Sequence, residues 1–456
     1  MPANVILILT DDQGPWAARC CGNEEIITPG IDRLAAEGVR LDSFFCTSPV
    51  CSPARASLMT GRLPSQHGVH DWLRGGNMPP DPAGYLDAQT CYTDILARHG
   101  YACGLSGKWH LGDSLRPQHG FAHWFAMPGG GSRYQDAEMI RAGRVQTCPG
   151  YLTDVITDDA LAFIRAHRDR PFCLNVQYNA PHSPFTGHPR ELTDLYADCP
   201  FRTIPAEAPH PWLTKWGREQ LGNRQSLTGY FAAITGLDRG VGRIVDCLEE
   251  LGLRGQTLVV FMSDNGYSCG QHGLFGKGNA TWPLNMYEES VKVPCIFSQP
   301  GTLPRGLVSS AMASQYDFIH TLLEHLDLPP LADSSLPGRS FHAALTGQRS
   351  DAAEQVVVYD EYGPVRMIRT AEWKYVHRYP QGPHELYDLA SDPGERRNVA
   401  DEKSRQVLVR DLRARLEAWF ARYVQPEMDG ASLPVTGYGQ MRPLGGAAGP
   451  MFARGD

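Results

Sequence analysis

Three short segments carry side chains whose types and spacing could do chemistry. The first is Asp11 and Asp12, adjacent carboxylates at the end of an apolar run over residues 5–10. Adjacent carboxylates repel unless a cation or hydrogen bonds compensate. They suit a metal site, or a plain turn closed by an Asx hydrogen bond. The second is Ser263-Asp264-Asn265-Gly266, again after an apolar run, residues 257–262. Asp264 and Asn265 offer oxygen donors, and Gly266 permits a tight turn. Together the two pairs could hold a hard cation, and oxygen-only ligands favour calcium or magnesium over zinc or copper. The third is residues 46–68, CTSPVCSPARASLMTGRLPSQHG. Pro53 suits the first turn of a helix, residues 54–60 continue it, and Gly61 ends it. Cys51 then lies at a helix N-terminus, where backbone N–H groups and the dipole favour an anion. Arg55, one turn on, can point at the same anion. A lone cysteine is by default buried and structural, and the spacing alone leaves that reading open.

The elements that must position these groups follow from the apolar pattern. Ligands bind beyond the carboxyl ends of the strands in open α/β sheets. Strands are predicted at 5–10, 101–105, 172–178, 257–262 and 293–298, the first buried on both faces. Helices are predicted at 31–37, 90–99, 152–167, 226–251 and 316–326, with the fourth interrupted near Gly240 and Gly242. Alternating strands and helices predict an α/β fold: a large, mixed, mostly parallel sheet sandwiched by helices, over residues 1–345. Short strand candidates then crowd together at 356–360, 366–370, 374–378 and 384–388. A helix at 402–423 follows, with Leu408, Leu412, Leu416 and Phe420 on one stripe. Residues 346–425 read as a smaller C-terminal α+β domain, a short antiparallel sheet plus a helix. Residues 426–456 are rich in Gly and Pro and read as an arm or loose tail. Its Tyr438, Arg442 and Phe452 could reach a pocket or a neighbouring subunit of a homo-oligomer.

Bulk properties narrow the class. The 456 residues exceed the usual size of one domain. Hydrophobic content of 42% and charged content of 20% suit a soluble globular enzyme. A net charge of −8 gives no support for general nucleic-acid binding, so an anionic substrate needs a local positive pocket. The opening MPANVILILTDD has no basic leader and too short an apolar run to span a bilayer. The expectation is a cytoplasmic chain with no membrane partner, or a periplasmic one if a signal has been removed. The 12 cysteines are scattered, with no zinc-like pairs of CxxC, and are expected to be mostly reduced and buried.

The string Cys51-Ser-Pro-Ala-Arg55, followed by Thr60-Gly-Arg, resembles the CxPxR signature of the formylglycine-dependent type I sulfatases of the alkaline phosphatase superfamily. NVILILTDDQG, GKWHLG (107–112), APHSPF (180–185), SDNG, GQHGLFGKG (270–278), MYEESVKVPCIFSQPG (286–301) and LYDLASDPGERRNVA (386–400) resemble further segments, in family order. The resemblance covers about residues 4–400. It implies a sulfuric ester hydrolase with a divalent cation, calcium ahead of magnesium. It also implies that a formylglycine-generating maturation enzyme converts Cys51 to 3-oxoalanine. Asp11, Asp12, Asp264 and Asn265, with modified Cys51, are the implied metal ligands. Arg55 is the implied partner of the aldehyde hydrate, and Lys108 and His110 stand beside the nucleophile. His182 and Lys277 are the implied contacts to the sulfate and the leaving oxygen. Asp264 would act as base toward the attacking hydroxyl, His182 or Lys277 would protonate the leaving alcohol, and His110 would take the proton that lets sulfate depart. A plain serine or cysteine lacks the second hydroxyl of an aldehyde hydrate, and so has no such exit route.

The leaving alcohol is less well marked. MYEES, where many arylsulfatase-like members carry a glycine-rich YEGG, resembles branches acting on amino-sugar sulfates. In HDWLRGGN (70–77), Asp71, Trp72 and Arg74 offer groups for sugar hydroxyls, stacking or a neighbouring anion, or simply form a structured loop. His272 either lines the pocket or caps its loop. A carbohydrate sulfate is the preferred substrate. The rivals are a phosphonate or phosphate ester hydrolase of the same superfamily and a non-catalytic sulfoglycan-binding relative.

Overall fold

The computed structural model describes residues 3–348, 357–445 and 450–454. Ten strands form one sheet: β1 (Asn4–Asp11), β2 (Val39–Phe45), β3 (Ala102–Gly107), β4 (Phe121–Ala126), β5 (Glu138–Arg141), β6 (Arg144–Thr147), β7 (Phe172–Pro181), β8 (Thr257–Ser263), β9 (Cys295–Ser298) and β10 (Leu307–Ser314). Their order is β10-β2-β9-β8-β1-β7-β3-β4-β5-β6. The central run from β8 to β4 is parallel, and antiparallel partners join it towards each side. The continuous apolar run of β1 has a direct cause. Val5, Leu7 and Leu9 enter the core on one face of the sheet, and Ile6 and Ile8 enter the core on the other.

Strands β2, β4, β5, β6 and β10 are not among the predicted strands. β2 mixes Arg40, Asp42 and Ser43 among its apolar residues, and β10 is half-exposed at the sheet edge. The expected break near Gly240 and Gly242 does not occur, because the helix Arg224–Glu250 runs through both. Gly240 serves packing rather than interruption, whereas a Cβ on Gly242 would meet nothing within 4 Å. A Cβ on Gly240 would lie 2.5 Å from the Tyr178 hydroxyl and 2.6 Å from Thr157 Oγ1.

The C-terminal sheet is antiparallel, in the order β11 (Val358–Tyr362), β12 (Val365–Arg369), β13 (Trp373–Arg378), β14 (Glu385–Asp388). Val356, where the first of these strands was predicted to begin, lies outside the described residues. The helix Gln406–Tyr423 buries Leu412, Leu416 and Phe420 against β12 and β13. Lys374 of β13 is fully buried, and its Nζ donates to the Met286 carbonyl and pairs with Glu288 and Glu395.

The tail is not loose where it is described. Val435, Gln440 and Phe452 are buried. Gln440 is stitched to the 68–75 segment of its own chain. Its Oε1 accepts from His70 N at 2.8 Å, its amide donates to Trp72 O at 2.8 Å, and its carbonyl accepts from Arg74 N at 2.9 Å. Tyr438 and Arg442 line a cavity of this same chain. Gly and Pro content signals irregular backbone, and side-chain hydrogen bonds decide whether that backbone docks. No helix among the described residues is long and apolar enough to cross a membrane.

Candidate active site

Parallel pairing of β1 with β8 sets Thr10 opposite Ser263, so Asp11, Asp12, Asp264 and Asn265 emerge side by side at the carboxyl ends of two central strands. Asp12 has φ 67°, a left-handed conformation that Asp tolerates better than most residues and that is common at functional turns. Its amide donates to Asp264 Oδ1 at 3.2 Å, and Asn265 Nδ2 donates to Asp12 Oδ1 at 2.8 Å. Cys51 is the first residue of the helix Cys51–Thr60, which ends on left-handed Gly61. It is 3% exposed and lines the cavity beside Asp12.

Cationic side chains converge on the carboxylates. Arg55 Nε donates to Asp264 Oδ2 at 2.9 Å, and its Nη1 donates to Gln177 Oε1 at 2.7 Å and to the Lys108 carbonyl at 3.2 Å. Lys108 Nζ pairs with Asp11 Oδ2 at 2.5 Å, and Lys277 Nζ pairs with Asp12 Oδ1. Burial pushes the Asp11 carboxyl up, but Lys108 and His182 outweigh it and hold the group below its ordinary value. Asp12 is held down against burial in the same way, by Lys277 and His182. Asp264 differs, because burial and the neighbouring Asp11 carboxylate leave it raised. Burial also raises the Cys51 thiol, so the encoded side chain is protonated and a poor nucleophile.

Two histidines complete the floor. His110 Nε2 donates to the Leu73 carbonyl at 2.9 Å, which assigns Nδ1 as the unprotonated nitrogen. Burial, with Lys108 next, holds its pKa well below the ordinary value, so the ring is neutral. His182 Nδ1 donates to the Ser183 carbonyl at 2.7 Å, leaving Nε2 3.8 Å from Asp12 Oδ2.

The residues fit a hard divalent cation. Asp11 Oδ1 and Asn265 Oδ1 are buried oxygens without a hydrogen-bond partner. Ligand atoms of Asp11, Asp12 and His182 lie within 4.8 Å of one another. A cluster of oxygens with two uncommitted donors is the arrangement a calcium or magnesium ion satisfies.

Not every expected residue joins the floor. Trp72 and Arg74 line the cavity, but Asp71 does not. Asp71 points inward, where its Oδ1 accepts from the Tyr362 hydroxyl at 2.7 Å and from Trp72 N. Its Oδ2 accepts from Gly437 N and Gly439 N of the tail, both at 3.0 Å. His272 is also outside the cavity lining. It stacks on Tyr287 with centroids 3.9 Å apart and contacts Glu289 Oε2 through Nε2 at 3.1 Å. Other groups went unnoticed in the sequence. Gln177 orients Arg55. Ser52 Oγ donates to the His110 carbonyl and accepts from Leu73 N, both at 3.0 Å. Gly130 gives His110 room, since a Cβ there would lie 2.2 Å from the ring. The glycine run 129–131 was the available signal.

A parallel sheet that collects carboxylates, lysines and an arginine around a helix-start cysteine defines a hydrolase of anionic esters. Residues 3–328 match the family model described as Sulfatase, and residues 270–422 match that described as N-sulphoglucosamine sulphohydrolase, C-terminal. The chain belongs to the sulfatase family, within the alkaline phosphatase superfamily, and is a sulfuric ester hydrolase. An N-acetylglucosamine-6-O-sulfatase of Bacteroides thetaiotaomicron is 25% identical over 508 residues, covering 93% of this chain and 88% of that protein. An N-acetylgalactosamine-6-sulfatase of Canis lupus familiaris is 32% identical over 384 residues, covering 76% of this chain and 66% of that protein. A structure solved in complex with its substrate, D-glucosamine-2-N,6-O-disulfate, shares the fold at a TM-score of 0.80. It is 24% identical and covers 94% of this chain and 99% of that one. Members of this family use a formylglycine and a divalent cation.

Proposed function

We propose that this chain hydrolyses the sulfate ester of a carbohydrate, an amino sugar or a related glycan. We further propose that Cys51, once converted to formylglycine, is its nucleophile and that calcium is its cation. One observation carries the reading. Three carboxylates, Asp11, Asp12 and Asp264, and three cations, Arg55, Lys108 and Lys277, pair with one another around Cys51; Asp12, Lys277 and Cys51 line the cavity, and the other four charged groups are buried behind them. The two relatives above are both amino-sugar sulfatases, which supports the substrate class.

The cation would be held by Asp11, Asp12, Asp264 and Asn265, and when bound would supply positive charge against the sulfate oxygens. Formylglycine would supply a hydrated aldehyde, whose second hydroxyl gives the sulfated enzyme its exit route. The chain's own residues do the rest. Lys108 and Lys277 neutralise the sulfate in a site largely closed to water. Arg55 holds Asp264 in place through its 2.9 Å contact, and Asp264 would accept a proton near position 51. His182 presents Nε2 toward the leaving oxygen, with Lys277 beside it. His110 presents an unprotonated Nδ1, fit to accept the proton that releases sulfate.

Peptide mass spectrometry across Cys51, combined with sulfate release from a panel of sulfated sugars, tests the reading. Conversion at Cys51 together with amino-sugar sulfate turnover supports it. Faster turnover of phosphonate or phosphate esters than of any sulfated sugar overturns it. Binding without turnover by the converted protein overturns it in favour of a non-catalytic role.

A further inference from the structure

The sulfate site occupies only the floor of its cavity. The cavity measures about 1620 Å³, above the roughly 300–1,000 Å³ of pockets that enclose one small molecule. Its upper walls come from residues 74–83, 214–219, 279–282 and the tail at 436–443. These segments carry none of the floor's charged side chains.

The rim has a distinctive composition. Among the described residues, the large apolar side chains left most exposed include two tryptophans, a tyrosine and a methionine. They are Trp282 at 55%, Trp216 and Tyr438 at 43%, and Met441 at 38%, and all four line this cavity. The other exposed side chains of this kind are aliphatic and lie elsewhere. Leaving large apolar area in water is unfavourable, and apolar area gathered at one concave place marks a binding surface. The Trp216 ring is held by neighbouring rings, and Trp282 is anchored through its backbone. Trp216 packs against Phe275 and Phe185, with centroids 6.1 Å and 6.4 Å apart, and the Trp282 amide donates to the Trp212 carbonyl at 3.0 Å. Arg74 and Lys215 line the same cavity and are exposed, as are the carboxylates Asp81 and Glu219.

A flat ring with one C–H face and a hydroxylated edge matches this lining. The C–H face of a pyranose packs on an indole while its hydroxyls stay in water. Resting on the hydrolase reading for its floor, we propose that the rim is a second sugar-binding site that makes the substrate an anionic oligosaccharide. Trp282 and Trp216 stack the sugar next to the sulfated one, and Arg74 and Lys215 meet that sugar's acidic or sulfated group.

The probes are 6-O-sulfated N-acetylglucosamine and N-acetylgalactosamine, each as the free monosaccharide and as the end unit of a sulfated tetrasaccharide. Calorimetry on the Cys51→Ala protein reads binding without turnover, and sulfate release by the active protein reads kcat/KM. The tetrasaccharide is expected to bind more tightly and to have the higher kcat/KM. Trp282→Ala is expected to cut the tetrasaccharide-to-monosaccharide ratio about three- to tenfold in both readouts, and Trp282→Phe to restore most of it. Arg74→Ala is expected to lower the ratio for the sulfated tetrasaccharide and to reduce its salt dependence. Equal ratios in wild type and Trp282→Ala, in both readouts, overturn the rim site even if the sugars are hydrolysed. Ring-dependent tetrasaccharide binding by a converted protein that releases no sulfate overturns the hydrolase reading and supports the rim.

Discussion

The floor and the rim of one cavity are built on opposite principles. The floor groups are almost wholly buried, sit at strand or helix ends, and hold one another by ion pairs and hydrogen bonds. The rim groups are exposed, sit on loops, the short helix Lys215–Gln220 and the tail, and present large aromatic side chains. The difference separates two tasks. Charge stabilisation needs fixed dipoles in a dry place, and strand ends of a packed sheet supply that rigidity. Recognition of a particular alcohol needs surface that varies without disturbing the sheet, and loops supply it.

Four experiments, beside the rim test above, break or sharpen this contrast. The largest expected effect is at the floor. Cys51→Ser should lower multiple-turnover sulfate release by about 10³-fold or more while leaving the melting curve intact. Ordinary turnover by that variant would show that the nucleophile lies elsewhere. Next is removal of the cation. Chelation should abolish activity, and calcium should restore it. A bound ion at 100 times its Kd should add about 2.7 kcal/mol of stability, seen as a higher Tm. An unchanged Tm and rate across chelator and calcium would disprove a metal-dependent floor.

A smaller effect belongs to the junction of floor and rim. Asp71 ties the tail to the 70–75 segment, whose Leu73 carbonyl accepts from His110. Burial raises its pKa to about 6 from an ordinary 3.8, against the pull of its four hydrogen-bond donors. The folded state therefore holds more protons between about pH 4 and pH 6, so this group's contribution to stability falls as pH rises through that window and is level above it. Asp71→Asn cannot ionise, so the stability difference between the two proteins should change by about 2–3 kcal/mol across that window. Melts at pH 4, 5, 6 and 7 read it; parallel curves would place the titration in another group. The smallest effect is at His272, whose ring is held by Tyr287 and Glu289 away from the cavity. His272→Ala should cost about 1 kcal/mol of stability and leave KM within about twofold. A large rise in KM would return His272 to the substrate pocket.

Much of the floor was legible in the sequence because its signals are local. Asp11 and Asp12 follow a run buried on both faces, and the same is true of Asp264 and Asn265. Pro53 and Gly61 bracket the helix that starts at Cys51. The stripe of Leu412, Leu416 and Phe420 gave the C-terminal helix. Gln177 was hidden, because a polar residue inside a strand shows nothing of the arginine it will meet. The choice between pocket and structured loop stayed open at Asp71 and His272 for a related reason. The turn-rich stretches that carry them leave side-chain direction free, and each turned into a hydrogen-bonded interior position.

The sequence by itself determined the chemistry. Residue type fixes charge, donor atoms and the identity of the side chain at position 51, and apolar periodicity fixes which runs become strands. Tertiary structure alone decided the company those groups keep. It set β1 beside β8, so that residues 252 or 253 positions apart share a site. It brought a Gly- and Pro-rich tail back across its own chain, and it collected Trp216, Trp282 and Tyr438 at one rim. The physical reason is range. Strand and helix propensities act over a few residues, whereas sheet order, docking of irregular backbone and the walls of a cavity depend on contacts between distant segments, which exist only once the whole core has packed.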